Sequence, residues 1–299
     1  MKPPPFEYVA PNSLEEALQI LTEHGDGAKV LAGGQSLVPA MNFRMVQPTL
    51  LVDLNGIEEL NYIRHEQNGE LKIGAMTRQR QLELDETVKW WTPLLHETMP
   101  YIAHPQIRNR GTLGGTLVHA DPAAELPVIA VAADARILLK SLDGERWVAA
   151  QDFFHGMFMT ELRPEEILIE VAIPSMQPHT GWSFQEISRR AGDYAMMGVA
   201  ALVSLDDEGK CTTARLVYLN AGDGPMDAEE AAGLLEGRLR SDGSIEEAAE
   251  LAADKEIDPS GSVHATVSYQ RHLARVLTRR ALRTAFQRAT ESKGSEGGS

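Results

Sequence analysis

The chain has 299 residues, and its 43 Asp and Glu outnumber its 28 Lys and Arg, which gives a formal net charge of −15. This acidic balance argues against a nucleic-acid partner or an anionic membrane surface recruited by long-range charge. Hydrophobic residues at 43% and charged residues at 24% are typical of a globular chain and not of a disordered one.

Cysteine and histidine usage limits the chemistry further. The single cysteine, Cys211, forms no internal disulfide and cannot hold an iron–sulfur cluster by itself. The histidines form no metal-binding spacing, so no metal site is predicted. Residues 1–6 lack the apolar run of a secretory signal, and no stretch approaches the roughly 18 apolar residues of a membrane span. We therefore expect a cytoplasmic protein without a membrane span.

The first part of the chain alternates between helix and strand signals. Ser13 and Glu16 form a capping box at the start of a helix, which Gly25 ends. Apolar spacing predicts a further helix from Leu94 to Ile102, ended by Pro105. Short apolar runs predict strands at 30–32, 50–54, 71–75, 135–140, 146–149 and 167–173. This order indicates a mixed fold of helices and strands.

A polar segment at 174–181, which contains Pro174 and Pro178, is predicted to be a linker. Beyond it, three strands are predicted at 182–190, 197–206 and 212–220, the last two joined as a hairpin through 207–209. Helices are predicted at 228–239, 244–253 and 267–289, and the tail 291–299 is predicted to be disordered.

Two glycine-rich segments carry the strongest chemical signal. They are the first glycine segment, Ala32-Gly33-Gly34-Gln35-Ser36, and the second glycine segment, Gly111-Thr112-Leu113-Gly114-Gly115-Thr116. Glycine permits positive φ and removes Cβ, so consecutive backbone amides can converge on a pyrophosphate, and hydroxyls of Ser36, Thr112 and Thr116 would add donors. Ordinary tight turns explain the residues equally well. Neither segment matches the dinucleotide-binding or P-loop spacing.

Several ordered motifs extend this pattern along nearly the whole chain, and with them the chain resembles the FAD-binding medium subunit of the molybdenum hydroxylases, the family of carbon monoxide dehydrogenase and xanthine dehydrogenase. The motifs are Ala32-Gly33-Gly34-Gln35-Ser36-Leu37, Val52-Asp53-Leu54, Ile73-Gly74-Ala75-Met76-Thr77, Gly111-Thr112-Leu113-Gly114-Gly115-Thr116, Asp121-Pro122-Ala123-Ala124-Glu125-Leu126-Pro127 and Arg189-Arg190-Ala191-Gly192-Asp193-Tyr194-Ala195.

The resemblance implies an α+β fold in two domains. Residues 1–177 would form a two-part FAD-binding domain of the PCMH type. Residues 178–290 would form a smaller α/β C-terminal domain, with a three-stranded antiparallel sheet and helices, that covers the flavin.

The resemblance also implies which residues bind FAD, without a covalent link. The first set surrounds the pyrophosphate and comprises Val30, Leu31, Ala32, Gly33, Gly34, Gln35, Ser36 and Leu37. The second set contacts the diphosphate and the flavin side and comprises Gly111, Thr112, Leu113, Gly114, Gly115 and Thr116. Further contacts are expected from Asp121 and Glu125, from Ile102 and Leu168 by packing, and from Tyr194 beside the flavin ring. Gln35, Thr116 and Gln185 stand where many or some relatives have His, Asn and Lys.

By the same resemblance, the chain is an electron-transfer subunit with no catalytic acid or base of its own. A molybdopterin-binding large subunit oxidises the substrate, and a small subunit with [2Fe–2S] clusters relays electrons to this FAD and on to an external acceptor. The assembly is expected to be a dimer of heterotrimers. Two alternatives stay open: a self-contained flavin oxidase or dehydrogenase of the wider PCMH superfamily, and a scaffold subunit that has lost its flavin.

Overall fold

The computed structural model describes residues 2–296, which form three successive units. The N-terminal unit contains a parallel sheet in which β3 lies between β1 and β2, with Tyr8 opposite Leu51 and Val30 opposite Val52. Its elements are β1 (Glu7–Val9), α1 (Leu14–His24), β2 (Ala28–Leu31), α2 (Leu37–Asn42) and β3 (Leu50–Asp53). As predicted, Ser13 caps α1, with its hydroxyl accepting from the Glu16 amide at 3.2 Å.

The central unit is a five-stranded antiparallel sheet with helices packed against it, in the strand order β4-β5-β10-β6-β7. Its strands are β4 (Ile63–His65), β5 (Leu71–Gly74), β6 (Arg136–Ser141), β7 (Gly144–Ala149), the separate pair β8 (Phe154–Gly156) and β9 (Met159–Thr160), and β10 (Ile167–Ile173). Its helices are α3 (Gln79–Leu84), α4 (Glu86–Trp91), α5 (Pro93–Thr98), α6 (Pro105–Arg108), α7 (Leu113–His119) and α8 (Glu125–Ala132). Every residue of α8 is buried, so this helix forms the centre of the unit.

The C-terminal unit is an antiparallel sheet in the order β11-β12-β13-β14, covered by helices. Its elements are β11 (Thr180–Ser188), β12 (Ala195–Leu205), β13 (Cys211–Leu219), β14 (Met226–Asp227), α9 (Glu229–Gly233), α10 (Asp242–Leu251) and α11 (Val267–Glu296). One face of the sheet packs on α11, and the other packs on α5 and α8 of the central unit. This second contact joins the two units into one core.

Several sequence predictions need correction. The C-terminal sheet has four strands where three were predicted, because Met226 and Asp227 pair with Tyr218 and Val217. The helix predicted from 94 to 102 ends at Thr98 in a 3₁₀ turn that contains Pro100, which has no amide to continue the ladder. Pro105 begins α6 instead of ending a helix, since proline suits a first helical turn.

Two helix lengths also differ from the prediction. The helix predicted over 228–239 is reduced to α9, and the chain then turns at Gly237, whose φ is +72°. The final helix extends to Glu296 and so occupies most of the tail predicted to be disordered, because no proline interrupts it. The remainder of that prediction, 297–299, lies outside the described residues. No helix within 2–296 is long and apolar enough to cross a membrane.

Candidate functional site

The first glycine segment connects β2 to α2 and leaves its backbone amides open. Gly34 has a φ of +72°, a left-handed conformation that glycine adopts without strain. The carbonyls are used: Gly33 accepts from the Gln35 side-chain amide at 3.1 Å, and Gly34 accepts from the Val38 amide at 3.1 Å. Within residues 2–296, however, the amides from Gly33 to Leu37 donate to no protein acceptor. Such a run of open amides suits an anion.

The second glycine segment has a different structure from the predicted turn, because it forms the start of α7. Thr112 caps this helix, and its hydroxyl accepts from the Gly115 amide at 3.1 Å. The Leu113 amide donates to the Thr77 carbonyl at 3.0 Å, and the Gly114 amide donates to the Ala75 carbonyl at 2.9 Å. These amides are therefore committed to the protein and are not available to a ligand.

The two glycine segments lie in direct contact. A Cβ on Gly33 would lie 2.8 Å from the Gly111 Cα, and one on Gly115 would lie 3.4 Å from the Ala32 Cβ. A Cβ on Gly114 would lie 2.7 Å from the Ala75 Cβ. The glycines are thus required by close packing between protein segments, whereas the sequence had suggested close approach to a phosphate.

The three hydroxyls of the segments are not equivalent. The Thr116 hydroxyl has no proton left for a ligand, because it donates to the Thr112 carbonyl at 3.2 Å while it accepts from the Gln79 side-chain amide at 2.9 Å. The Thr112 hydroxyl accepts a bond and keeps its own proton to donate. The Ser36 side chain, at the N-cap of α2, makes no capping hydrogen bond to the helix. Thr112 is buried at 1% exposure, so Ser36 carries the one hydroxyl of the three that is free to serve a ligand.

Sequence reasoning missed three residues that support the segments. Asn55 donates to the Ala32 carbonyl at 2.9 Å, and Arg78 donates both to the Asn55 side chain and to the Arg110 carbonyl. Burial, followed by the charge of Arg110, lowers the pKa of Arg78. Gln79 is buried, and its backbone amide donates to the Gly111 carbonyl at 2.9 Å. Their only signal in the sequence was their position directly after the Val52–Leu54 and Ile73–Thr77 motifs.

The predicted acidic residues lie around the start of α8. Asp121 shapes the turn before the helix by accepting from the Ala123 amide at 2.9 Å. Glu125 is the first residue of α8 and is buried, and this burial raises its pKa to about 7. A third carboxyl, Glu186 of β11, was not predicted. Burial, followed by the charge of Glu125, raises the pKa of Glu186 to about 8.

Three further predicted residues divide into two kinds. Ile102 and Leu168 are buried in the core of the central unit. Tyr194 lies between β11 and β12, and its side chain is 75% exposed. Partial desolvation, followed by the charges of Asp121 and Glu125, raises the pKa of Tyr194, so its hydroxyl lies within electrostatic reach of those carboxyls. In the part of the chain that the structure describes, no group of three or more His, Cys, Asp or Glu side chains is placed to bind a metal.

Comparison with known proteins places this geometry in context. The family model described as the FAD binding domain in molybdopterin dehydrogenase matches residues 4–176, and the one described as the CO dehydrogenase flavoprotein C-terminal domain matches residues 182–285. The 6-hydroxypseudooxynicotine dehydrogenase complex subunit alpha of Paenarthrobacter nicotinovorans is 43% identical over 99% of both chains.

Two solved structures also match nearly the whole chain. Carbon monoxide dehydrogenase from Hydrogenophaga pseudoflava has a chain that matches with a TM-score of 0.93 and 36% identity, over 96% of this chain and 99% of that one. Quinoline 2-oxidoreductase from Pseudomonas putida 86 matches with a TM-score of 0.91 and 38% identity, over 97% and 99% of the two chains.

Proposed function

The chain belongs to the FAD-binding subunits of the molybdenum hydroxylases, and we propose that it is the electron-transfer flavoprotein of such an enzyme. It is thus an FAD-binding subunit of an oxidoreductase, and in its relatives the molybdopterin and iron–sulfur cofactors are on other subunits. The proposal concerns its finer role. Electrons arrive from a [2Fe–2S] subunit and leave to an external acceptor.

The observation that carries this role is the run of open amides from Gly33 to Leu37. FAD contains a diphosphate, and neutral backbone donors bind such a group without basic side chains. The Ser36 hydroxyl would add a donor, because its side chain makes no capping hydrogen bond to α2. The chain therefore fits FAD at this place.

The other predicted contacts would support the cofactor differently from what the sequence suggested. The second glycine segment would act as a rigid wall behind the first, since its amides from Leu113 to Thr116 are bonded internally. Ile102 and Leu168 would pack from the core, and Tyr194 would cover the ring with its exposed face. When bound, FAD supplies the redox chemistry, accepting electrons singly or in pairs; the chain's own residues bind, orient and shield it.

The partners follow from what the chain lacks. With one cysteine, the chain cannot ligate an iron–sulfur cluster itself, so any electrons that arrive from such a cluster come from another subunit. We infer a complex with a molybdopterin-binding large subunit and a [2Fe–2S] small subunit, arranged as a dimer of heterotrimers. The division into an FAD-binding domain, 1–177, and a covering domain, 178–290, is part of the same proposal and is supported by the matched ranges 4–176 and 182–285. The cytoplasmic location stays a prediction.

Purification of the chain with its native partners tests the role directly. We expect stoichiometric FAD on this chain, molybdenum and iron on co-purifying subunits, and flavin reduction when substrate is added to the complex but not to the chain alone. Turnover of substrate by the isolated chain would instead support the self-contained flavin enzyme. A colourless chain that takes up no added FAD would support the scaffold.

A further inference from the structure

The direction of each open amide in the first glycine segment depends on how its peptide group is turned. A trans peptide is planar, so its carbonyl and its amide proton point in opposite directions. The peptide between Ala32 and Gly33 is trans. A hydrogen bond that holds the Ala32 carbonyl therefore also fixes the direction of the Gly33 amide. The residues from Ala32 to Leu37 are all at least partly exposed, so a ligand can reach the segment.

The first peptide group of the segment is held from outside, whereas others are held locally. The Gly33 carbonyl accepts from the side chain of Gln35, and two further carbonyls of the segment accept from amides of α2. The Ala32 carbonyl instead accepts from the Nδ2 atom of Asn55 at 2.9 Å. Within residues 2–296, Asn55 is the only side chain from outside the segment that hydrogen-bonds to it.

The network around Asn55 fixes which end of its side chain faces Ala32. The Nδ2 atom donates to the Asp53 carboxyl as well as to the Ala32 carbonyl, and the Oδ1 atom accepts from Arg78. Asp53 is itself held, because it accepts from the Tyr8 hydroxyl at 2.6 Å and from the Asn55 backbone amide at 2.8 Å. Turning the side-chain amide over would place its oxygen against two acceptors and its nitrogen against a guanidinium. The donor end of Asn55 therefore stays on Ala32.

Asn55 is not part of the hydrophobic core. It lies in the short turn after β3 and is exposed, so its replacement leaves no cavity. Its partner Arg78 also donates to the Arg110 carbonyl, which lies against Gly33. Asn55 and Arg78 together thus connect the start of the first glycine segment to the residue before the second, at the point where the open amides begin.

We propose that Asn55 is a positioning residue for FAD, which directs the Gly33 amide towards the diphosphate by holding the Ala32 carbonyl. The inference rests on the proposed function, since it requires the diphosphate at the open amides. Both protons of the Asn55 side-chain amide are bonded within the protein, so it has none to give to a phosphate oxygen. Its effect on the cofactor is therefore indirect. Without Asn55 the first peptide group is free to turn, and one donor to the diphosphate is lost.

FAD titrations of the full-length, FAD-free chain, followed by flavin fluorescence, test this. Asn55→Ala should weaken FAD binding about fivefold, which corresponds to one ordinary hydrogen bond. Asn55→Asp keeps the size of the side chain and the contact with Arg78, but it presents an acceptor to the Ala32 carbonyl, so it should weaken binding at least as much.

The same two substitutions at Asn68 are the matched controls. Asn68 is also an exposed asparagine in a turn, and its side chain bonds only to Glu70 among the described residues. Asn68→Asp adds the same negative charge as Asn55→Asp, away from the glycine segments. Both Asn68 variants should bind FAD with wild-type affinity.

The phosphorus NMR spectrum of FAD bound at saturation separates positioning from a general loss of structure. In Asn55→Ala the diphosphate resonances should move from their wild-type positions, because one donor has turned away, and in Asn68→Ala they should not move. Wild-type affinity in either Asn55 variant, unmoved resonances in Asn55→Ala, or an equal loss of affinity in the Asn68 variants would each overturn the inference. If Asn55→Asp does not fold, Asn55→Ala decides. Failure of the wild-type chain to bind FAD at all would instead overturn the proposed function, and this inference with it.

Discussion

Replacing Gly33 by alanine tests whether contact between the two glycine segments positions the open amides. Gly33 is not in a left-handed conformation, so alanine suits its backbone and only space is at issue. The new methyl group would lie 2.8 Å from the Gly111 Cα and closer still to the Arg110 carbonyl. Both neighbours are backbone atoms, which cannot rotate away as a side chain does. Overpacking of this kind costs about 1–3 kcal/mol.

That cost would be met by moving the first glycine segment off the second, which displaces the amides from Gly33 to Leu37. If the whole cost appears in binding, FAD affinity decreases about 5- to 150-fold. The measurement is titration of the FAD-free chain with FAD, followed by flavin fluorescence, together with its thermal unfolding. Gly233→Ala is the control, because nothing lies within 4 Å of the Cβ position there. Wild-type affinity and stability in Gly33→Ala would refute the reasoning.

Three further predictions concern the junction between the central and C-terminal units. Arg288 donates to Glu97 at 2.6 Å, so a double-mutant cycle of Arg288→Met and Glu97→Gln should give a coupling free energy of about 1 kcal/mol in urea unfolding; zero coupling would show that the pair does not stabilise the junction. Because burial raises the pKa values of Glu125 and Glu186 to about 7 and about 8, their protonated forms favour the folded FAD-free chain at low pH, and this stability is lost as the pH rises through those values. The free energy of unfolding of wild type, minus that of Glu186→Gln, should therefore decrease from pH 5 to pH 9. A difference that does not change with pH would contradict the raised pKa of Glu186. Tyr194→Ala should leave the unfolding temperature of the FAD-free chain unchanged, because the side chain is 75% exposed, yet weaken FAD binding about two- to tenfold; an unaltered affinity would remove Tyr194 from the site.

The sequence predicted the elements whose first or last residues are determined by capping or turn residues next to them. The start of α1 follows from Ser13 and Glu16, and the hairpin between β12 and β13 follows from the polar turn before Gly209, whose φ is +83°. Residue type alone also indicated the turn at the first glycine segment, where Gly34 has a φ of +72°. The proximity of the two glycine segments in space could not be deduced from spacing, and only the family resemblance suggested it.

The sequence predictions failed where a contact with a distant part of the chain, or a single backbone group, determines the local structure. Thr112 was considered as a ligand donor, but as an N-cap it converts the second glycine segment into a helix start whose amides bond to Thr77 and Ala75. These carbonyls lie more than thirty residues away along the chain. Likewise, Glu186 has an ordinary position in an apolar strand, and only the register with Gly198 shows which side of the sheet it occupies.

In the proposed FAD site, the open amides of the first glycine segment would let a strongly acidic chain hold a dianionic diphosphate without a patch of lysine or arginine. Main-chain dipoles carry no net charge and do not titrate, and substitution of most surface residues leaves them in place. The amides would therefore bind the coenzyme without help from surface charge, even in a chain with a net charge of −15. What a variant must preserve at this bend is the path of the backbone, which Gln35 helps to hold by donating from its side-chain amide to the Gly33 carbonyl at 3.1 Å.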